Sequence, residues 1–215
     1  MSRQDYPLLS ATRVFVADAG STDATIEIAL SFADRLLISV IPGGLPSVGR
    51  NAGARRATTP YVLFIDADIE VRDATLLRRA VETMKRRKLQ CLTTDIRCKD
   101  GKFLDSLMYR GNNAIQHVAS FTKPFATGMF MMFDREKFHE LGGFDENVHY
   151  AEDFHLSKRV SPLKFGIVSG HVLTSNRRFQ AMGHAKVARM FFTTAFHVFD
   201  RKYFLRDHGY WKYQV

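Results

Sequence analysis

The stretch that most constrains the fold is residues 61–68, where five strand-forming residues run into two carboxylates one residue apart. Such a run predicts a buried strand, and in an open α/β sheet ligands bind at the carboxyl ends of the strands. Because side chains two apart in a strand share a face, Asp66 and Asp68 are predicted side by side at the mouth of a site. Two hard oxygen donors suit Mg²⁺ or Mn²⁺. Asp-x-Asp also arises by chance and as a turn cap, so the tripeptide alone leaves the metal site open.

Strand, turn and helix alternate through the first half of the chain. Strands are predicted at residues 13–17, 37–41, 61–65 and 90–95, with a central apolar strand at 127–133. Helices are predicted after the first strand, where Ile26, Ala29, Leu30, Ala33 and Leu37 recur at helical spacing, and after the second strand. Further helices are predicted over 74–87 and 103–120, and from Ala151 onwards. Three consecutive strand-helix units predict an α/β fold with a parallel sheet and helices on both faces.

Composition narrows the class of protein. The chain has 215 residues, 46% of them hydrophobic, which suits one globular domain with a sizeable core. Two cysteines, Cys91 and Cys98, are too few for a disulfide framework and match no common zinc pattern, so a reducing, cytoplasmic compartment is expected. No apolar run approaches a signal sequence or membrane span, so neither export by that route nor a transmembrane anchor is expected.

The formal net charge of +9 calls for an anionic partner: nucleic acid, a phosphorylated ligand or acidic lipid. The densest basic run, residues 85–88, ends a predicted helix, where cations complement the helix dipole and need no ligand. Charge alone does not choose among these partners.

A basic amphipathic helix is predicted near the end of the chain, over about residues 185–205. Its apolar face comprises Val187, Phe191, Phe192, Ala195, Phe196, Val198, Phe199 and Tyr203. Its basic residues are Lys186, Arg189, Arg201, Lys202 and Arg206. Such a helix can pack on its own domain or lie in a membrane interface on the inner face of the membrane, and both alternatives stay open here.

Five short motifs follow one another along the chain, and their order is more informative than any one of them alone. They are VADAGSTD (16–23), GRNAG (49–53), FIDAD (64–68), LGGFDE (141–146) and Glu-Asp (152–153). In this order the chain resembles the GT-A glycosyltransferases of family 2 over about residues 13–180. The resemblance implies a Rossmann-like, mixed but mostly parallel sheet in a domain spanning residues 1–183, followed by the basic amphipathic helix and tail at 184–215.

The resemblance also implies a donor site. Asp18 would accept a hydrogen bond from the nucleotide base, with Ser21 and Asp23 in the same nucleotide-binding motif. Arg50 and Asn51 would lie close to the base and phosphate, where a guanidinium suits anionic oxygen.

The remaining motifs complete that site. Asp66 would hold the ribose and assist the metal, and Asp68 would ligate Mn²⁺ or Mg²⁺ directly. Arg177 and Arg178 would meet the diphosphate, although Phe179 stands where the family has Trp. His171 and His184 are candidates for a third metal ligand, and either can equally be a surface or core histidine.

The reaction implied is inverting sugar transfer from a UDP- or GDP-linked donor to a glycan or lipid-linked acceptor. Glu152 and Asp153 resemble the acceptor-side acidic pair, with Asp153 as general base. A metal-bound, arginine-assisted diphosphate would be the leaving group.

One departure keeps a second function open. Family members usually begin with a further strand and loop that grip the nucleotide, and only about twelve residues precede Arg13 here. The chain is therefore expected to lack this strand, and a catalytically impaired nucleotide-sugar binder or partner subunit is the alternative. A nucleic-acid binder is disfavoured because no recognised motif of that class occurs. A nucleotidylyltransferase would need a Gly-rich basic loop where residues 18–23 lie.

Overall fold

A computed structural model describes residues 1–197 and 200–208. The strands are β1 (Arg13–Asp18), β2 (Leu37–Pro42), β3 (Tyr61–Phe64), β4 (Cys91–Cys98), β5 (Met131–Asp134) and β6 (Phe165–Thr174). The helices are α1 (Thr25–Leu30), α2 (Pro46–Arg56), α3 (Leu76–Arg87), α4 (Phe103–Ala119), α5 (Arg135–Glu140), α6 (Glu152–Ser157), α7 (Arg177–Met182), α8 (His184–Phe196) and α9 (Arg201–Phe204). The alternation of strands and helices predicted from the sequence is confirmed.

The strands form two sheets. β1 and β2 pair in parallel, while the second sheet has the order β3-β5-β4-β6. β5 runs antiparallel to both neighbours and β4 is parallel to β6. The prediction of a mixed, mostly parallel arrangement is confirmed, because among the described strands only β5 runs against its neighbours. The sequence did not predict that this antiparallel strand lies between β3 and β4, a pairing that strand-helix alternation does not reveal.

Helices cover both faces of these sheets, as predicted. Val62 and Phe64 of β3 pack with Ala54 of α2 in one core cluster. Tyr61 and Leu63, on the other face of the same strand, pack against a second cluster that includes α3. The alternation of side chains along β3 therefore places it between two helical layers.

Helix α2 lies over both sheets and fixes their relative direction. A Cβ at Gly49 would come within 2.9 Å of the Ala17 Cβ, and one at Gly53 within 3.6 Å of the Phe15 Cβ, so β1 runs antiparallel to α2. The chain after β3 reaches Arg50 near the start of α2, whereas β3 itself packs on Ala54. β1 and β3 thus run the same way, and both end beneath the N-terminal half of α2.

β1 and β3 do not pair with each other. In the described part of the chain, β1 pairs only with β2 and β3 only with β5, which leaves one edge of each strand unpaired. Gln4 and Asp5, which precede β1, bond instead to residues 73–78 around the start of α3.

The C-terminal region differs from the single helix predicted over 185–205. α8 ends at Phe196, and Asp200 caps the separate short helix α9 by accepting a hydrogen bond from the Tyr203 amide. Val198 and Phe199 of the predicted apolar face, and residues 209–215, lie outside the described residues. Val187 is buried in the main core and Phe204 packs with Val148 and Tyr150. No helix in residues 1–197 or 200–208 is both long and apolar enough to span a membrane.

Candidate functional site

The loop after β1 is organised by Asp18. Its carboxylate accepts hydrogen bonds from the amide nitrogens of Gly20 at 3.0 Å and Ser21 at 3.1 Å, and from the Ser21 hydroxyl at 2.5 Å. The Ser21 hydroxyl is the main cause that lowers the pKa of Asp18, and the two amides add to it. Asp23 accepts similarly from the amide and hydroxyl of Thr25. Asp18 is therefore held ionised at the sheet edge, while Ser21 and Asp23 shape the loop.

Gly43 joins the end of β2 to this loop. Its amide donates to the Asp18 carbonyl oxygen at 2.7 Å, and a Cβ at this position would come within 2.8 Å of that carbonyl. Only glycine allows this approach without a shift of the backbone. The close contact brings the start of α2 beside Asp18.

Arg50 is the centre of the charged cluster. Its guanidinium pairs with Asp66, at 2.5 Å between Nη2 and Oδ1, and with Glu152, and its side chain is only 13% exposed. The ring of Phe144 lies 5.5 Å from the guanidinium carbon. Burial opposes the positive charge, but Asp66, Glu152 and Asp153 together outweigh it and raise the pKa of Arg50. One buried cation therefore holds carboxylates that are distant in sequence.

Glu152 and Asp153 open helix α6. Ala151, just before them, has φ of 60°, and this left-handed conformation turns the chain so that both carboxylates lie in the first turn. Asp153 accepts hydrogen bonds from the amides of Gly128 and Phe154, each at 2.7 Å. Burial raises the pKa of both Glu152 and Asp153, and Arg50 counteracts it. Glu152 and Asp153 therefore bind protons at a higher pH than ordinary carboxyl groups do.

Asp66 and Asp68 do not share a face of an extended strand, so that prediction is wrong. β3 ends at Phe64, and the two carboxylates lie in the turn that follows, where the Ile69 amide bonds to the Asp66 carbonyl. Asp66 faces Arg50, whereas Asp68 faces Arg177, with 3.3 Å between its Oδ2 and Nη2. The turn directs the two carboxylates to different cationic partners.

Asn51 has a structural use in the site. Its side-chain nitrogen donates to the Phe144 carbonyl at 2.9 Å and to Glu146 at 2.8 Å, and its oxygen accepts from the Phe144 amide at 3.0 Å. These bonds tie α2 to the LGGFDE segment and hold Phe144 under Arg50. The GRNAG and LGGFDE motifs are therefore held together by hydrogen bonds, although they are far apart in the sequence.

Arg178 and the two candidate histidines interact with other residues. Burial raises the pKa of Tyr109 to about 12, while the nearby Arg178 charge works in the opposite direction. His184 bonds to Asp105 at 2.5 Å and stacks on Phe179, and His171 lies among Asp73, Asp95 and Arg97. Across residues 1–197 and 200–208, no three His, Cys, Asp or Glu side chains are grouped in a way that could hold a metal ion. The structure therefore adds no third ligand to Asp66 and Asp68.

Sequence reasoning missed Gly128, which completes the cluster. A Cβ at this position would collide with the Arg50 guanidinium, so the glycine leaves room for the buried cation while its amide fixes Asp153. A glycine at the start of an apolar strand often marks such a close approach, and that signal was present in the Thr127-Gly128 pair.

One cavity lies away from the charged cluster. It has a volume of about 810 Å³ and is bounded by α3 and β6, with Arg79, Arg86, Arg87 and Ser169 among its lining residues. None of the predicted site residues lines it. A second cavity is lined by His171, with Asp95 and Arg97.

Glu152 gives a pH-dependent prediction. Because its pKa is raised in the fold, its contribution to stability is present at low pH and is lost as the pH rises through that raised value. Glutamine resembles the protonated acid and does not titrate. We compare the free energy of unfolding of the Glu152→Gln variant with that of the wild type. The difference, variant minus wild type, should increase by roughly 1–3 kcal/mol between about pH 5 and pH 8. Urea titrations at several pH values measure this, and a constant difference between the two proteins would contradict it.

The sequence matches a known protein family and a known protein. Residues 4–142 match the family described as glycosyl transferase family 2, which is well over half of the chain. An uncharacterized glycosyltransferase of Escherichia coli strain K12, YibD, is 40% identical over 81 residues, which cover 34% of this chain and 23% of that protein. The chain thus corresponds to a minor part of that relative's length.

Solved structures show the same fold at low identity. The mannosyltransferase PcManGT from Pyrobaculum calidifontis, in complex with GDP-Man and Mn²⁺, superposes with a TM-score of 0.64 at 20% identity, over 89% of this chain and 57% of that one. S. aureus TarS 1-349 in complex with UDP gives 0.61 at 17% identity, over 100% and 69%. Glucosyl-3-phosphoglycerate synthase from Mycobacterium tuberculosis, with Mn²⁺ and UDP-glucose, gives 0.55 at 18% identity, over 84% and 68%. These are GT-A structures with an α/β mixed sheet.

Proposed function

Because the chain belongs to glycosyl transferase family 2, we propose that it transfers a sugar from a nucleoside diphosphate sugar to an acceptor hydroxyl, with inversion at the anomeric carbon. One observation supports this proposal most directly. Arg50 pairs with Asp66 and Glu152 and lies close to Asp153. This cluster lies at the sheet edge where β1 ends at Asp18. A nucleotide-binding carboxylate and a buried acidic pair next to each other are what a donor and an acceptor hydroxyl require.

The donor lies, in this proposal, along the carboxyl ends of β1 and β3. Asp18, already ionised and ordered by Ser21, accepts from the base, and Asp66 holds the ribose. Arg177 and Arg178 neutralise the diphosphate. A UDP or GDP sugar is supported by the related structures, which contain GDP-Man, UDP-GlcNAc or UDP-glucose.

The residues present suit a divalent cation at Asp68. Its side chain is 43% exposed and faces Arg177 at 3.3 Å, so a hard oxygen donor is accessible from solvent. Mg²⁺ and Mn²⁺ are usually held by one or two carboxylates, with water and substrate phosphates completing the shell. Asp68 suits this role as a single carboxylate, while Asp66 is paired with Arg50. Mn²⁺ accompanies the nucleotide sugar in two of the related structures. When bound, the ion would neutralise charge on the departing diphosphate.

Asp153 is the general base of the proposal. The amides of Gly128 and Phe154 fix its carboxylate, and burial raises its pKa above that of an ordinary aspartate, which makes it a stronger base. It would remove the proton of the acceptor hydroxyl as that oxygen attacks the anomeric carbon. Glu152, paired with Arg50, positions the helix turn that carries Asp153.

Calorimetric titration of UDP and GDP, with Mn²⁺ and with EDTA, tests the donor site. We expect one nucleotide to bind in the presence of Mn²⁺, and Asp68→Ala to weaken that binding by about tenfold or more, the loss of a charged ligand contact. Asp34→Ala is the matched control, because Asp34 is an exposed carboxylate that pairs with its neighbour Arg35. Equal binding by the Asp68→Ala and Asp34→Ala variants would remove Asp68 from the metal site.

The alternative function rests on the unpaired edges of β1 and β3. We propose that an open strand position separates them, since the two strands run in the same direction beneath α2 without pairing. If this weakens the donor site, the chain acts as a nucleotide-sugar binder or partner subunit. Nucleotide binding without sugar transfer would favour the binder, and no binding by the folded protein would favour the partner subunit.

A further inference from the structure

Helix α4 exposes apolar side chains along one side. Leu104 and Leu107 lie near its start and Ile115 and Val118 near its end, with exposed Gly111 and Ala114 between the two pairs. The exposed fractions of the four apolar side chains are 45%, 49%, 63% and 72%. At 3.6 residues per turn these four side chains fall within about a quarter of the helix circumference. Phe103 and Phe121, at 83% and 82%, extend the stripe at both ends. We call these six residues the α4 stripe.

The α4 stripe is not what attaches α4 to the domain. The opposite side of the helix carries Asp105, Tyr109 and Gln116, all buried. Asn113 adds two hydrogen bonds to the backbone of Ile96 in β4. The helix is therefore anchored on one side and presents its apolar side to the surroundings, a pattern that marks a contact surface when the patch is large.

Helix α8 carries further exposed apolar side chains, and its first residue, His184, contacts α4. The two helices meet through the bond between His184 and Asp105 and through Phe179, which lies between Tyr109 and His184. Val187 is buried, whereas Phe192 and Phe196, about half a turn away, are 77% and 85% exposed. Within the described residues, α8 therefore adds two exposed aromatic side chains to those of α4.

The charged side chains of the segments that form this surface are mostly basic, although Asp95 of β4 pairs with His117 of α4. Residues 101–125 and 184–197 contain a single acidic residue, Asp105, and it is buried against His184. The same segments carry Lys102, Arg110, Lys123, Lys186 and Arg189. A second copy of the chain would oppose cations to cations, whereas an anionic surface complements them.

We propose that the α4 stripe and the exposed phenylalanines of α8 dock the protein onto an anionic lipid bilayer. Apolar and aromatic side chains on one helix face, flanked by cations, are the features of a helix that lies in the plane of the membrane interface. The proposal is independent of the donor chemistry. If the proposed transfer is correct, docking brings the enzyme to lipid-linked acceptors.

Liposome flotation of the full chain tests this without any sugar nucleotide. The vesicles are phosphatidylcholine alone, or phosphatidylcholine with phosphatidylglycerol. We expect the wild type to float with the anionic vesicles, and the double variant Ile115→Ser, Val118→Ser to partition at least about tenfold less, from the lost apolar burial. The control is Leu163→Ser, because Leu163 is 87% exposed and lies in the turn before β6, away from both helices. Circular dichroism checks that all three proteins are folded.

The other results would overturn the proposal. Wild-type protein that stays at the bottom with anionic vesicles excludes lipid docking, as does equal flotation of the double variant and the Leu163→Ser control. A wild-type dimer in size-exclusion chromatography that the double variant converts to a monomer assigns the stripe to a second copy. Because nucleotide titration is read separately, failure here leaves the donor site intact.

Discussion

The substitution Asp153→Asn will reduce turnover by about 10²- to 10⁴-fold while nucleotide binding stays near the wild-type value, because a positioned general base contributes that much to a proton transfer. The asparagine side chain keeps the shape of Asp153 and an acceptor for the Gly128 amide but cannot take the acceptor proton. Initial rates with a nucleotide sugar and a competent acceptor, together with calorimetric titration of the nucleotide, separate the two effects.

The pH profile adds a second readout for this variant. Burial raises the pKa of Asp153, so the wild-type rate should increase with pH through that raised value as the base becomes ionised. The Asp153→Asn variant should lose this limb of the profile. Asp145→Asn is the control, since Asp145 is a carboxylate of the LGGFDE segment that accepts locally from Asn147. Near-normal turnover of Asp153→Asn would assign the base to another group.

Removing Arg50 should have the largest effect on stability. Arg50→Met leaves Glu152 and Asp153 buried without their cation, and breaking a buried ion pair in this way costs about 3–5 kcal/mol. The loss is expected to be greatest at high pH. Without Arg50 the folded pKa of both carboxylates rises further, and stability falls as the pH increases through those values. At low pH both groups take up protons and the loss shrinks.

Arg55→Met on the same helix is the matched control. Arg55 is 59% exposed and pairs with Glu146 at 3.5 Å, so its removal should cost less than about 1 kcal/mol. Guanidinium salts would screen the very interactions under test, so urea unfolding is the suitable measurement. Equal destabilisation by the two substitutions would show that Arg50 is not the electrostatic centre of the cluster.

The sequence by itself determined the local elements and the chemistry at their ends. The run of apolar residues at 61–64 had to form a buried strand, and the carboxylates after it had to lie at the sheet edge. The motif order was sufficient to indicate family 2, which the match over residues 4–142 confirms. These features depend on neighbours in the chain, and periodicity and residue type report them directly.

Tertiary structure alone decided how the elements pair and which charges meet. Arg50 reaches Glu152 across 102 residues of sequence, and Asp66 and Asp68 separate because the turn after β3 aims them at different arginines. The antiparallel β5 entered the sheet between β3 and β4, and α4 buries Asp105 and Gln116 while Ile115 and Val118 stay exposed. The order in which strands pair and the faces that are buried are set by packing between segments that are distant in the sequence. The residue pattern of one segment does not specify which distant segment it will contact.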